Sequence, residues 1–117
     1  MPVTITSIAG GAPKPVFDHL GPLFVQRTGH QVNALYDTMS GIADRVRAGE
    51  ALDVLVMPVP LIEAYVQEGT VLPAGRAKLA NIGLAVGVKA GAKVPDVSTR
   101  DALRAALLAA RLVVHAP

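Results

Sequence analysis

Two short turns carry the residue types that can hold an anion. In the first, residues 3–8 (Val-Thr-Ile-Thr-Ser-Ile) run into Ala9-Gly10-Gly11-Ala12-Pro13-Lys14. Glycine lets the chain turn sharply and lets a ligand approach the main chain. A helix opening behind it supplies unpaired N–H groups at the positive end of its dipole. In the second, Asp37-Thr38-Met39-Ser40-Gly41 places hydroxyls at another helix start, again as donors for an oxyanion. Each turn also has a plainer reading. The first is then an ordinary strand-to-helix turn, and in the second Ser40 caps a helix. Asp37 either binds an amine or shapes its turn. Lys14 either neutralises an anion or is simply solvated.

Other reactive groups form no pattern. His19, His30 and His115 have no metal-ligand spacing, and His19 and His30 fall on surface positions. Asp53 stands at the start of an apolar strand, where its carboxylate is expected to accept from neighbouring backbone N–H groups. There is no HExxH, P-loop, nucleophile elbow or GxGxxG, and no cofactor motif. Zero cysteines exclude a disulfide framework, a thiolate metal site and a Cys nucleophile. The expectation is binding without catalysis, so not an enzyme.

The elements that position these turns alternate. Residues 3–8, 31–36 and 52–57 read as strands, the last apolar on both faces apart from Asp53 and so the most buried. Residues 15–27 read as a helix with Val16, Leu20, Leu23 and Phe24 inward, kinked at Gly21-Pro22. Ser40 opens a second helix running to Ala48, stopped by Gly49, and Pro60 starts a third. Residues 81–90 read as a fourth strand, 100–110 as a helix using Leu103 and Leu107, and 112–115 as a last strand. Regular βα alternation predicts an α/β fold, a mainly parallel sheet with flanking helices. Ligands of such sheets bind beyond the carboxyl ends of the strands, which selects the loops at 9–14, 37–41 and 58–60.

Composition narrows the class. The 117 residues suit one modest domain. Hydrophobic residues make up 51% and aromatic ones only 3%, so the core is aliphatic. A dispersed net charge of +2 and no Trp argue against a nucleic-acid partner. Apolar runs are strand-sized, so no membrane span is expected. Met1-Pro2 leads straight into a strand with no basic start, which predicts a cytoplasmic chain or one whose leader has been removed.

The order of motifs resembles the molybdate-binding-like solute-binding proteins of ABC importers, of the type II periplasmic-binding fold. The resemblance rests on Arg27-Thr28-Gly29, on Arg45-Val46-Arg47-Ala48-Gly49-Glu50 before Leu52-Asp53-Val54-Leu55-Val56, and on Gly69-Thr70-Val71-Leu72 with Arg76. It implies a ligand site on Gly10, Gly11 and Ala12 of the first turn and Thr38, Met39 and Ser40 of the second. The positions of the family's usual serines fall on Ala12 and Met39. It also implies a first lobe over residues 1–80, then a crossover strand and the start of an incomplete second lobe over 81–117, as in a truncated member. Implied partners are a small anionic solute such as molybdate and the membrane subunits of an ABC transporter. The implied compartment is the periplasm. An unpaired strand at 112–115 and the apolar face of the last helix predict a homodimer, with residues 99–117 making much of the contact. The rival expectations are a cytoplasmic ligand-sensing module of the same fold and a small α/β enzyme.

Overall fold

The strands at the centre are short and aliphatic, and they pair side by side. In the computed structural model, which describes residues 1–115, β1 (Thr4–Ala9) lies between β2 (Gln31–Tyr36) and β3 (Val54–Val56) in a parallel sheet of order β2-β1-β3. Ala9 is in register with Tyr36 on one side and with Val56 on the other. All three strands therefore end at one sheet edge. Helices α1 (Lys14–Thr28), α2 (Met39–Arg47) and α3 (Val59–Gln67) follow the strands in turn. The expected α/β architecture is the one observed, a parallel sheet flanked by helices.

Local chemistry accounts for the boundaries. Helix α1 ends at Gly29, whose φ of 72° suits glycine and whose N–H donates to the Val25 carbonyl at 2.8 Å. Gly49, with φ of 74°, lies one residue beyond the Ala48 cap of α2, and its N–H donates to the Val46 carbonyl at 3.0 Å. Helix α1 runs on through Pro22 as a single element. Asp53 enters β3 through a reciprocal clamp: its N–H donates to the Thr6 carbonyl at 2.8 Å, and its Oδ2 accepts from the Thr6 N–H at 2.8 Å. This is the backbone role expected of it.

The core is small. Ser7, Ile8 and Ala9 of β1 and Ile42 of α2 are buried, with Ile8 and Ile42 fully so. Strand β3 covers only three residues and is not the most buried strand, since Val54 is 43% exposed. The central strand, paired on both sides, is β1, and burial follows that position rather than the strand's own hydrophobicity. Helix α1 also turns differently from expectation. Val16, Leu20, Leu23 and Phe24 are exposed, while Phe17, Gly21, Pro22 and Val25 line a groove with Val32, Ala34 and Tyr36.

Residues from Met1 to Lys78 form one compact unit and those from Leu79 onward a second. The second holds α4 (Arg100–Ala109), capped by Thr99, whose Oγ1 accepts from the Ala102 N–H at 3.1 Å. Among the described residues, 81–90 and 112–115 do not form the expected strands. Ile82, Leu84, Val86 and Val88 alternate as a strand face would, yet remain exposed. A strand is stable only beside a partner, and among the described residues no hydrogen-bonded neighbour accompanies these. The expected contact segment at 99–117 ends on residues 116 and 117, outside the described range. No helix among the described residues is long and apolar enough to cross a membrane.

Candidate functional site

The two turns singled out by residue type emerge side by side from adjacent strand ends. The Asp37 N–H donates to the Ala9 carbonyl at 3.1 Å, which ties the second turn to the end of β1. In the first turn, the Lys14 N–H donates to the Gly11 carbonyl at 3.1 Å, and the Val16 and Phe17 N–H groups both donate to Pro13. Pro13 and Pro15 have no N–H to offer. The first turn of α1 is thus internally consumed, and among the donors left over are the N–H groups of Gly11 and Ala12, which make no hydrogen bond among the described residues.

The second turn is organised by Thr38, not Ser40. Thr38 adopts extended backbone angles (φ −68°, ψ 161°), and its Oγ1 accepts from the Gly41 N–H at 3.1 Å. Its carbonyl accepts from the Ile42 N–H at 2.9 Å. The expected cap on Ser40 is therefore corrected: Ser40 already lies inside the helix, where a side chain cannot reach forward to cap it. Two hydroxyls meet here, Thr38 Oγ1 and Ser40 Oγ at 3.1 Å. With Thr38 donating to Ser40, the Ser40 hydroxyl hydrogen is free for a ligand. The N–H groups of Met39 and Ser40 have no partner among the described residues.

The six expected residues are brought together, with different roles. Gly11, Ala12, Met39 and Ser40 present N–H groups. Thr38 builds the turn. Gly10 makes room, because a Cβ there would lie 2.7 Å from the Met39 methyl carbon. Met39 thus closes over the first turn from the second, and neither Ala12 nor Met39 adds a hydroxyl.

Asp37 shapes its turn. Its Oδ1 accepts from the Thr38 N–H at 2.8 Å, and its carboxylate rests against the Gly41 backbone. Arg45 stands 3.7 Å from Asp37 and forks onto Glu50 through two hydrogen bonds of 2.6 Å. This bidentate contact holds the Glu50 carboxyl below its ordinary range and raises Arg45 above its own. Arg45 and Glu50 stood in the sequence only as part of a family-like run. Their spacing around Gly49 is the signal from which this pair could have been read. Lys14 is held by Asp18 at 2.7 Å, which raises its affinity for the proton, and it stands 5.4 Å from the Tyr36 ring centre. His30 is half-buried rather than on the surface and accepts from the Val3 N–H at 3.3 Å. The groove between α1 and β2, about 320 Å³, shares none of the six turn residues.

Chemically the site is a set of neutral donors at two helix starts, with its nearest carboxylate already engaged. Such an arrangement suits an oxyanion or carboxylate, and equally suits negative charge that develops during a reaction.

Comparison with known proteins agrees with the fold. The chain is 26% identical over 117 residues to an aconitate isomerase from Pseudomonas sp, an alignment taking in 96% of this chain and 45% of that protein. The chain therefore spans less than half the length of this curated relative. That relative bears the name of an enzyme, which overturns the expectation that catalysis is excluded. The expectation rested on missing motifs, and donors held in a turn leave no motif. No solved structure matches the chain. The family of bacterial extracellular solute-binding proteins matches residues 5–117, and the chain belongs to that family.

Proposed function

We propose that this chain contributes one wall of a cleft that binds a small organic or inorganic anion through backbone N–H groups. The observation that carries the reading is the pairing of free donors: Gly11 and Ala12 on one turn, Met39 and Ser40 on the next, at strand ends that are in register. The Ser40 hydroxyl adds a fifth donor when Thr38 Oγ1 is the donor in the contact between the two hydroxyls. Membership of a solute-binding family supports a small solute. The relative's name supports a carboxylate. A tetrahedral oxyanion such as molybdate uses the same donors, although Ala12 and Met39 stand where the resemblance implies serines. On this reading the partners are the solute and, in transport, the membrane subunits of an importer, with the site facing the periplasm.

A second reading, isomerisation of aconitate, is favoured by the relative alone. It uses the same donors to hold a carboxylate of the substrate.

Calorimetric titration of the chain with molybdate, sulfate, phosphate and aconitate tests the first reading. Few contacts against the cost of orienting a ligand predict weak binding, near a millimolar Kd or about 4 kcal/mol. The expected result is saturable heat with at least one anion, reduced by Gly11→Val, whose side chain would stand in the path to the donors. Absence of heat with all four, or binding indifferent to Gly11→Val, refutes it. Interconversion of the double-bond isomers of aconitate, followed by NMR, tests the second.

A further inference from the structure

The charge beside the anion loop is the feature that the binding reading leaves unexplained. Asp37 places a carboxylate directly against Gly41, inside the turn that carries the unpartnered N–H groups of Met39 and Ser40. An uncompensated carboxylate there would repel an anion. We infer that Arg45 is a positioning and charge-compensating residue for this turn: it holds Asp37 in place and cancels its field, so that Met39 and Ser40 can receive an anion. The inference rests on the reading of these two turns as an anion site.

The geometry assigns distinct work to each nitrogen of Arg45. Nε donates to Glu50 Oε2 and Nη2 donates to Glu50 Oε1, both at 2.6 Å. This side-on pairing uses one edge of the guanidinium and fixes its plane. The remaining nitrogen, Nη1, then faces Asp37 Oδ2 at 3.7 Å. Glu50 lies beyond the end of α2, and Asp37 lies before its start. Arg45, in the last turn of α2, therefore spans the helix from one end to the other. On the far side of Asp37, Oδ1 takes the Thr38 N–H at 2.8 Å. The chain of contacts runs from Glu50 through Arg45 and Asp37 to the backbone of the turn. All three charged side chains are about one-third exposed, so the compensation is local and sensitive to salt.

Two readouts separate position from charge. Sulfate, whose charge is constant near neutrality, is titrated into the parent chain, Arg45→Gln, Asp37→Asn and the double variant. Asparagine keeps an oxygen that accepts from Thr38 and removes the charge. The expected result is a Kd about tenfold weaker for Arg45→Gln, no weaker than the parent for Asp37→Asn, and within about threefold of the parent for the double variant. Amide hydrogen exchange at Thr38 and Gly41 is followed in the same proteins and is expected to accelerate in Arg45→Gln. An Arg45→Gln chain with parental affinity, or a double variant no better than Arg45→Gln, overturns the compensating role. Unchanged exchange at both amides overturns the positioning role. If the parent chain itself takes up no sulfate, the anion reading fails for that ligand and with it the compensating role, while hydrogen exchange alone still decides the positioning.

Discussion

Replacing Gly41 by alanine tests how tightly Asp37 is built into the second turn. Glycine inside a helix is ordinarily unfavourable, and alanine in its place is expected to stabilise by up to about 1 kcal/mol. Gly41 lies in the first turn of α2 without a positive φ, so its backbone accepts alanine. Space does not. A Cβ at this position would overlap Asp37 Oδ1 and lie 2.5 Å from Cγ and 2.8 Å from Oδ2. Asp37 would have to swing away, giving up the bond from the Thr38 N–H and the approach of Arg45. A hydrogen bond to a charged group contributes about 1.5–3 kcal/mol. Set against the full gain in helix propensity, the net loss is about 0.5–2 kcal/mol. Urea denaturation of the parent, Gly41→Ala, Asp37→Ala and the double variant measures it as a cycle. With Asp37 shortened the overlap disappears, so Gly41→Ala in that background should change sign and become neutral or stabilising. A stabilised Gly41→Ala in the parent chain, or the same shift in both backgrounds, would refute the argument.

Three further outcomes follow from burial and charge. Ser7 is only 3% exposed and its Oγ has no hydrogen-bond partner among the described residues. Ser7→Ala should therefore leave the denaturation midpoint unchanged or raise it, because an unsatisfied buried hydroxyl costs about 1–3 kcal/mol, and a clear fall would reveal a partner. Ile42→Ala should cost about 2–5 kcal/mol, since Ile42 is fully buried. Leu55→Ala should cost less, because Leu55 is only half-buried in a three-residue edge strand; equal midpoints would contradict this placement of the core. Glu50 has a lowered carboxyl pKa through Arg45, so its contribution is complete above about pH 4.5, its unfolded value, and is lost as pH falls through the folded one. The acid limb of a stability–pH curve should be shallower in Arg45→Gln, and an unaltered limb would deny the pair any role.

What could be read in advance follows from how local the physics is. The apolar runs of β1, β2 and β3 and the glycines closing α1 and α2 are statements about neighbouring residues, and they held. The strand at 81–90 did not, although Ile82, Leu84, Val86 and Val88 have the right alternation, because pairing depends on an edge that a sequence pattern cannot provide. Val54 failed for a related reason: it is as apolar as Ile8, but it sits at the sheet edge. Thr38 and Ser40 are two residues apart and both good caps, and only the backbone angles of Thr38 decide between them. That the two turns lie side by side was legible, because parallel strands in register bring their carboxyl ends together. The approach of Arg45 to Asp37 was not, since it joins residues eight apart through one long arginine side chain. Catalysis was excluded on missing motifs, a weak ground, since backbone donors leave no motif in a sequence.

The central claim is that four backbone N–H groups on two adjacent turns receive an anion. An NMR titration that follows the amide signals of Gly11, Ala12, Met39 and Ser40 tests it most directly, with sulfate, phosphate, molybdate and aconitate added in turn. The account predicts that for at least one of these anions all four signals shift together along a single saturation curve, while amides on the α1–β2 groove, such as Val25 and Val32, stay still. Shifts confined to the groove, or four signals that remain fixed with every anion, would contradict it.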